Sequence, residues 1–136
     1  MAQVISLEAY WKGRDKEHAD ELTETIQANA AETVRRVNEL LALAEADTGY
    51  VFEEVASGWR PQAVNDATAN AAGGSKHLTA EACDVRDPHG VLDTWCVQNQ
   101  DKLSEIGLWL ELPKATPTWT HLQTVSPKSH NRIFIP

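Results

Sequence analysis

The stretch Ser75-Lys76-His77-Leu78-Thr79-Ala80-Glu81-Ala82-Cys83-Asp84 sets a histidine and a carboxylate seven positions apart. Zinc holds its donors at about 2.0–2.2 Å, so two ligand atoms of one ion lie within about 4 Å of each other. Seven positions along a continuous helix span about 10.5 Å. His77 and Asp84 therefore share an ion only if the chain turns between them and Asp84 returns on a strand. On that strand Ala82, Asp84 and Arg86 face one way and Cys83 and Val85 the other, with the thiol in the core and the carboxylate at the site. His121 is the third candidate ligand. On its own strand it shares a face with Trp119 and Gln123, an indole and an amide suited to the wall of a pocket for a small polar substrate. Two histidines and one carboxylate leave a zinc position open for water. The ion lowers the pKa of that water toward about 7, and a nearby carboxylate can take its proton. Of the other histidines, His18 lies in a charged helical stretch, His89 in a turn after Asp87-Pro88, and His130 in a basic tail. Neither HExxH nor a CxxC pair is present, which excludes the zinc helices and knuckles built on them.

A sheet must carry these ligands, and something must cover it. Leu22, Ile26, Ala30, Val34, Val37, Leu40, Leu41 and Ala44 recur at steps of three and four, which predicts one long amphipathic helix. Asp20 or Thr23 caps its start, and Asp47-Thr48-Gly49 stops it. Ser6 opens a shorter helix carrying Leu7, Tyr10 and Trp11. From Tyr50 the period changes. Strands are expected at residues 50–56, 82–86, 107–111 and 118–124, the last two forming a hairpin around the link Leu112–Pro117. Asp87-Pro88 reads as a helix cap followed by proline at the first helical position. The helix it opens carries Val91, Leu92, Trp95, Cys96 and Leu103 on its apolar side. The expected class is α+β: a small antiparallel sheet flanked by helices. It forms a single domain over residues 1–136, with a helical part at 1–48 and the sheet and metal site at 50–136.

Composition narrows the function. The 136 residues carry a net charge of −8 with 42% apolar residues, a globular balance too short for two ordinary domains. An acidic chain disfavours nucleic acid as a partner. No apolar run reaches the roughly 20 residues of a membrane span, and the N-terminus lacks the basic start and apolar core of a secretory signal. Cys83 and Cys96 are too few for a disulfide scaffold, as expected of a chain folding in a reducing compartment. The charge is uneven. Residues 112–136 hold Lys114, Lys128 and Arg132 and no acid, an end able to face an anionic substrate.

From Ser57 to Gln123 the chain resembles the zinc peptidases of the D-alanyl-D-alanine carboxypeptidase type. That family includes D-Ala-D-Ala dipeptidases and the L-alanyl-D-glutamate endolysins of phages, and has a hedgehog-like zinc fold. Its metal motif, S-x-H-x-x-G-x-A-x-D, is matched by Ser75, His77, Ala82 and Asp84, and Trp119-Thr120-His121 resembles its late strand. Ser57-Gly58-Trp59-Arg60 resembles its upstream S-G-x-R segment, and Gly73-Gly74 fits just before Ser75. The resemblance implies zinc bound by His77, Asp84 and His121. It implies Arg60 holding a substrate carbonyl or carboxylate, or stabilising an oxyanion, and Ser75 bonding substrate or supporting the His77 loop. Trp119 and Gln123 would line the substrate pocket. The reaction implied is hydrolysis of a peptide bond in peptidoglycan stem peptides, by a phage or prophage branch. Such an enzyme is made in the cytoplasm without a signal and reaches the wall after release, or travels on the virion.

Two positions depart from the pattern. The motif glycine is Ala80, where a turn needing positive φ would be altered. The glutamate that many members carry three residues before the last histidine is Thr118, which cannot act as a base near neutral pH. Glu111 is the replacement that the hairpin offers, across from residues near Trp119. Asp87 already has a capping role. The loss of the usual base keeps a second expectation open: a zinc-binding module with weakened or no catalysis, recognising wall peptides or serving as a phage structural protein.

Overall fold

The computed structural model describes residues 4–68 and 75–136. The Gly73-Gly74 match lies outside the described residues. Helices α1 (Leu7–Trp11), α2 (Arg14–Glu17) and α3 (Glu24–Thr48) come first, then strand β1 (Val55–Ser57) and helix α4 (Gln62–Ala67). Strand β2 (Ala82–Arg86), helices α5 (Val91–Gln98) and α6 (Gln100–Ile106), and strands β3 (Trp109–Glu111), β4 (Trp119–Gln123) and β5 (Ile133–Phe134) follow. The five strands form one sheet in the order β1-β2-β4-β3-β5. All its pairs are antiparallel except β3 with β5. The class is α+β, as the periodicities require. Among the described residues no helix is long and apolar enough to cross a membrane.

The long helix forms where its stripe predicts. Thr23 Oγ1 accepts the Ile26 N–H at 3.1 Å, and Gly49, at φ +75°, closes the C-terminus onto the Glu45 carbonyl. Its buried face, Ala30, Thr33, Val34, Val37, Leu40, Leu41 and Ala44, lies against an apolar cluster with Cys83, Val85, Leu110 and Leu122 of the sheet. Three polar side chains on the same helix reach further. Asn29 donates to the Thr79 carbonyl, Thr33 to the Ala80 carbonyl, and Arg36 to the carbonyls of Gly107 and Thr124. Ser6 caps α1, which packs Tyr10 and Trp11 into the core.

Five local differences from these expectations appear. The first strand is shorter than 50–56: only Val55–Ser57 joins the sheet. Its partner β2 ends at Arg86 and the chain then turns away, so residues 50–53 have no ladder to join. Tyr50 instead stacks on Phe52 at 6.4 Å. The helix after Asp87-Pro88 starts later. Gly90, at φ +70°, precedes Val91, and the Asp87 carboxylate caps from a distance by accepting the N–H groups of Leu92 and Asp93. That helix breaks at Asn99 into α5 and α6, so Leu103 belongs to a second segment. A short helix, α4, stands in the polar stretch, and β5 was not foreseen at all.

Candidate metal centre

Register brings the site together. Asp84 pairs with Ser57 on one side and His121 on the other. Leu110 pairs with Leu122, so the next antiparallel pair sets Glu111 beside His121 on the same face. Glu111 in turn pairs with Phe134, whose ring meets that of His121 edge-on at 6.1 Å. One row across the sheet therefore runs Ser57, Asp84, His121, Glu111, Phe134. Strand alternation sends Cys83 and Val85 to the opposite, fully buried side, as expected.

His77 reaches this row from the turn before β2. Ser75 Oγ accepts the His77 N–H at 3.2 Å, and the His77 carbonyl accepts from both Arg60 and Ala80. Ala80 keeps the left-handed conformation that the motif assigns to glycine, at φ +61°. Its carbonyl accepts from Thr33 and its methyl sits in the core, so packing offsets a strain of about 1 kcal/mol. The turn returns Asp84 to His77, as the seven-position spacing demands.

Asp84 lies between the two imidazoles. Its Oδ2 is 3.2 Å from His77 Nε2 and its Oδ1 is 2.8 Å from His121 Nδ1. Ligand atoms of all three residues fall within 4.8 Å of one another, a group able to hold a metal ion. The side chains are nearly buried, exposing 4% at His77, 10% at His121 and 11% at Asp84, so solvent reaches the cluster on the Asp84–His121 side. His77 Nδ1 is 2.8 Å from the Gly58 carbonyl. A carbonyl only accepts, so this nitrogen carries the proton, and in the neutral ring the Nε2 lone pair faces the carboxylate. A lone pair against a carboxylate oxygen repels unless a cation or a proton lies between them. The convergence of three such donor atoms fits a metal ion in that place.

Charge at the row is coupled. Burial opposes ionisation of Asp84, but His77 and His121 outweigh it and hold the carboxyl below its ordinary range. For His121 burial works against protonation, and Asp84 reverses this and raises its pKa. Burial raises the pKa of Glu111, a group close enough to feel His121, Asp84 and His77.

The remaining sequence candidates occupy supporting positions. Arg60 is half-buried, with its guanidinium donating to Asn65 Oδ1 at 3.2 Å and Ser57 Oγ at 3.4 Å. Trp119 is half-buried opposite Arg86. Gln123 is buried with both ends of its amide engaged: Oε1 against His121 Nε2 at 2.9 Å, and Nε2 donating to the Val125 carbonyl at 2.8 Å. His18 pairs with Glu21, and His130 meets Ser126. Sequence reading missed the Gly58 carbonyl, whose identity no side chain announces. It also missed Phe134, for which the apolar pair Ile133-Phe134 was the only signal.

Asp93 was missed as well. It is 5% exposed, its Oδ1 has no partner among the described residues, and burial followed by repulsion from Asp87 lifts its pKa from 3.8 to about 7. A carboxyl with a raised folded-state pKa binds its proton more tightly folded than unfolded. Stability therefore falls as pH climbs from about 4 through about 7. Asp93→Asn is expected to gain about 1–3 kcal/mol at pH 8 and little at pH 4, because each tenfold gain in proton affinity is worth about 1.4 kcal/mol before solvent screening. Urea unfolding at the two pH values checks this, and an equal effect at both would refute it.

Comparisons with protein-family models, with curated proteins and with solved structures find no match to this chain.

Proposed function

We propose that the chain is a zinc-dependent peptidase acting on the stem peptides of bacterial peptidoglycan, of the D-Ala-D-Ala carboxypeptidase or L-Ala-D-Glu endopeptidase type. The observation that carries this reading is the buried His77–Asp84–His121 cluster with Glu111 beside it on one sheet face. His77, Asp84 and His121 would hold the ion through two nitrogens and a carboxylate. Zinc bound there would supply a Lewis acid and lower the pKa of a water toward about 7. Glu111 takes the proton of the attacking water and delivers it to the leaving amine. Arg60, held between Ser57 and Asn65, donates to the substrate carbonyl or terminal carboxylate. Trp119, on the same strand face as His121, would contact substrate, and Ser75 sets the His77 loop. Action on the wall follows release from the cell, or delivery on a virion.

Thr118 at the usual position of the base favours a second reading, a metal-holding module that recognises wall peptides without cutting them. Metal content and turnover separate the two. Native protein is expected to carry about one zinc per chain by elemental mass spectrometry and to cleave D-Ala-D-Ala or L-Ala-D-Glu peptides. His77→Ala and His121→Ala are each expected to lose the zinc. Full occupancy in either variant would sink the ligand assignment, and zinc without turnover would select the module.

A further inference from the structure

We propose that Gln123 is the positioning residue of this centre. It fixes His121 with the proton on Nε2 and the Nδ1 lone pair turned to the Asp84 side. A backbone atom sets the direction. Gln123 Nε2 lies 2.8 Å from the Val125 carbonyl oxygen. That oxygen only accepts, so the group facing it is the NH2 end of the amide. The polarity of the amide is then set, and its oxygen must face His121 Nε2, 2.9 Å away. An amide oxygen also only accepts, so His121 Nε2 carries a proton whether the ring is neutral or charged. In the neutral ring Nδ1 is left as the lone pair, 2.8 Å from Asp84 Oδ1.

The corner supplying the Val125 carbonyl is itself anchored. The Thr124 N–H donates to the Glu81 carbonyl at 2.9 Å, and Arg36 Nη1 meets the Thr124 carbonyl at 3.4 Å. Gln123 is 5% exposed and cross-strand from Ala82 and Trp109. Its amide is thus committed to the chain at both ends rather than turned to substrate. It does for His121 what the Gly58 carbonyl does for His77: each holds the outer ring proton and turns the inner nitrogen to Asp84.

The metal arm of the test rests on the proposed zinc site; the proton arm does not. In protein loaded with cadmium-113, the coupling is expected at His121 Nδ1, and coupling at Nε2 would overturn the assignment. With and without metal, His121 is expected to show a slowly exchanging Nε2–H by nitrogen-15 NMR. Gln123→Met, which keeps the length and removes the acceptor, is expected to lose that protection and to weaken zinc binding about 10–100-fold. Gln123→Glu restores an acceptor and is expected to recover the protected proton. Unchanged protection and a zinc Kd within about twofold of wild type in Gln123→Met would refute the role. If Gln123→Met does not fold, the cadmium coupling in the wild type decides. If the wild type takes up no metal, the zinc reading fails, and the Nε2–H of the metal-free protein decides for Gln123.

Discussion

Glu111→Gln is expected to lower kcat on a wall-peptide substrate by about 10²–10⁴-fold, the range that a positioned general base contributes, while zinc content stays unchanged. Two observations support the split. Glu111 stands beside His121 on the site face, where burial raises its pKa and the charges of all three cluster residues reach it. It is not one of the three residues whose ligand atoms converge. Glutamine keeps the shape and a polar end but cannot accept the proton. Product release and elemental analysis on the same sample check both halves. An active variant would remove Glu111 as base, and loss of zinc would make it a ligand.

The second large effect is expected at a residue with no side chain, Gly58. A Cβ built on Gly58 would lie 2.0 Å from the carbonyl oxygen of Tyr10 and 2.9 Å from its carbonyl carbon, both backbone atoms of α1. Tyr10 cannot retreat cheaply. It is fully buried, its hydroxyl donates to the Ala82 carbonyl at 2.8 Å, and its neighbour Trp11 packs edge-on against Trp59. Overpacking against side chains costs about 1–3 kcal/mol. Against backbone, Gly58→Ala is expected to cost about 3 kcal/mol or more, a fall in Tm of about 10 °C for a chain of this size. The same displacement moves the carbonyl that holds His77 Nδ1, so zinc affinity should drop about 10–100-fold as well. Gly49→Ala is the control. Its Cβ meets nothing within 4 Å, and its φ of +75° leaves a strain of about 1 kcal/mol with zinc binding intact. Equal losses from the two substitutions would refute the collision.

Much of this arrangement was legible in the residues. The seven-position gap between His77 and Asp84 forces a turn and a strand, and period-two alternation then separates Asp84 from Cys83. The Leu22–Ala44 stripe, Thr23 and Gly49 set the long helix, because caps and stripes are local. The hairpin put Glu111 near His121. What was illegible depends on partners distant in sequence or on atoms every residue shares. The Gly58 and Val125 carbonyls orient both imidazoles, yet a backbone oxygen leaves no trace in residue type. Residues 50–53 have strand-forming side chains but no neighbouring strand long enough to pair with. Asn99 breaks a helix whose apolar spacing continues through Leu103. Ala80 takes a conformation that favours glycine because Thr33, 47 positions away, holds its carbonyl.

Asn29, Thr33 and Arg36 stand at steps of four and three along α3, and together they bond to both loops that flank the ligand strands. The helix and the loops are therefore expected to open as one cooperative unit rather than as separate pieces. Binding of a metal ion at the cluster should then slow amide hydrogen exchange along the middle of α3, on the far side of the sheet from His77, Asp84 and His121, as strongly as it does in β2 and β4.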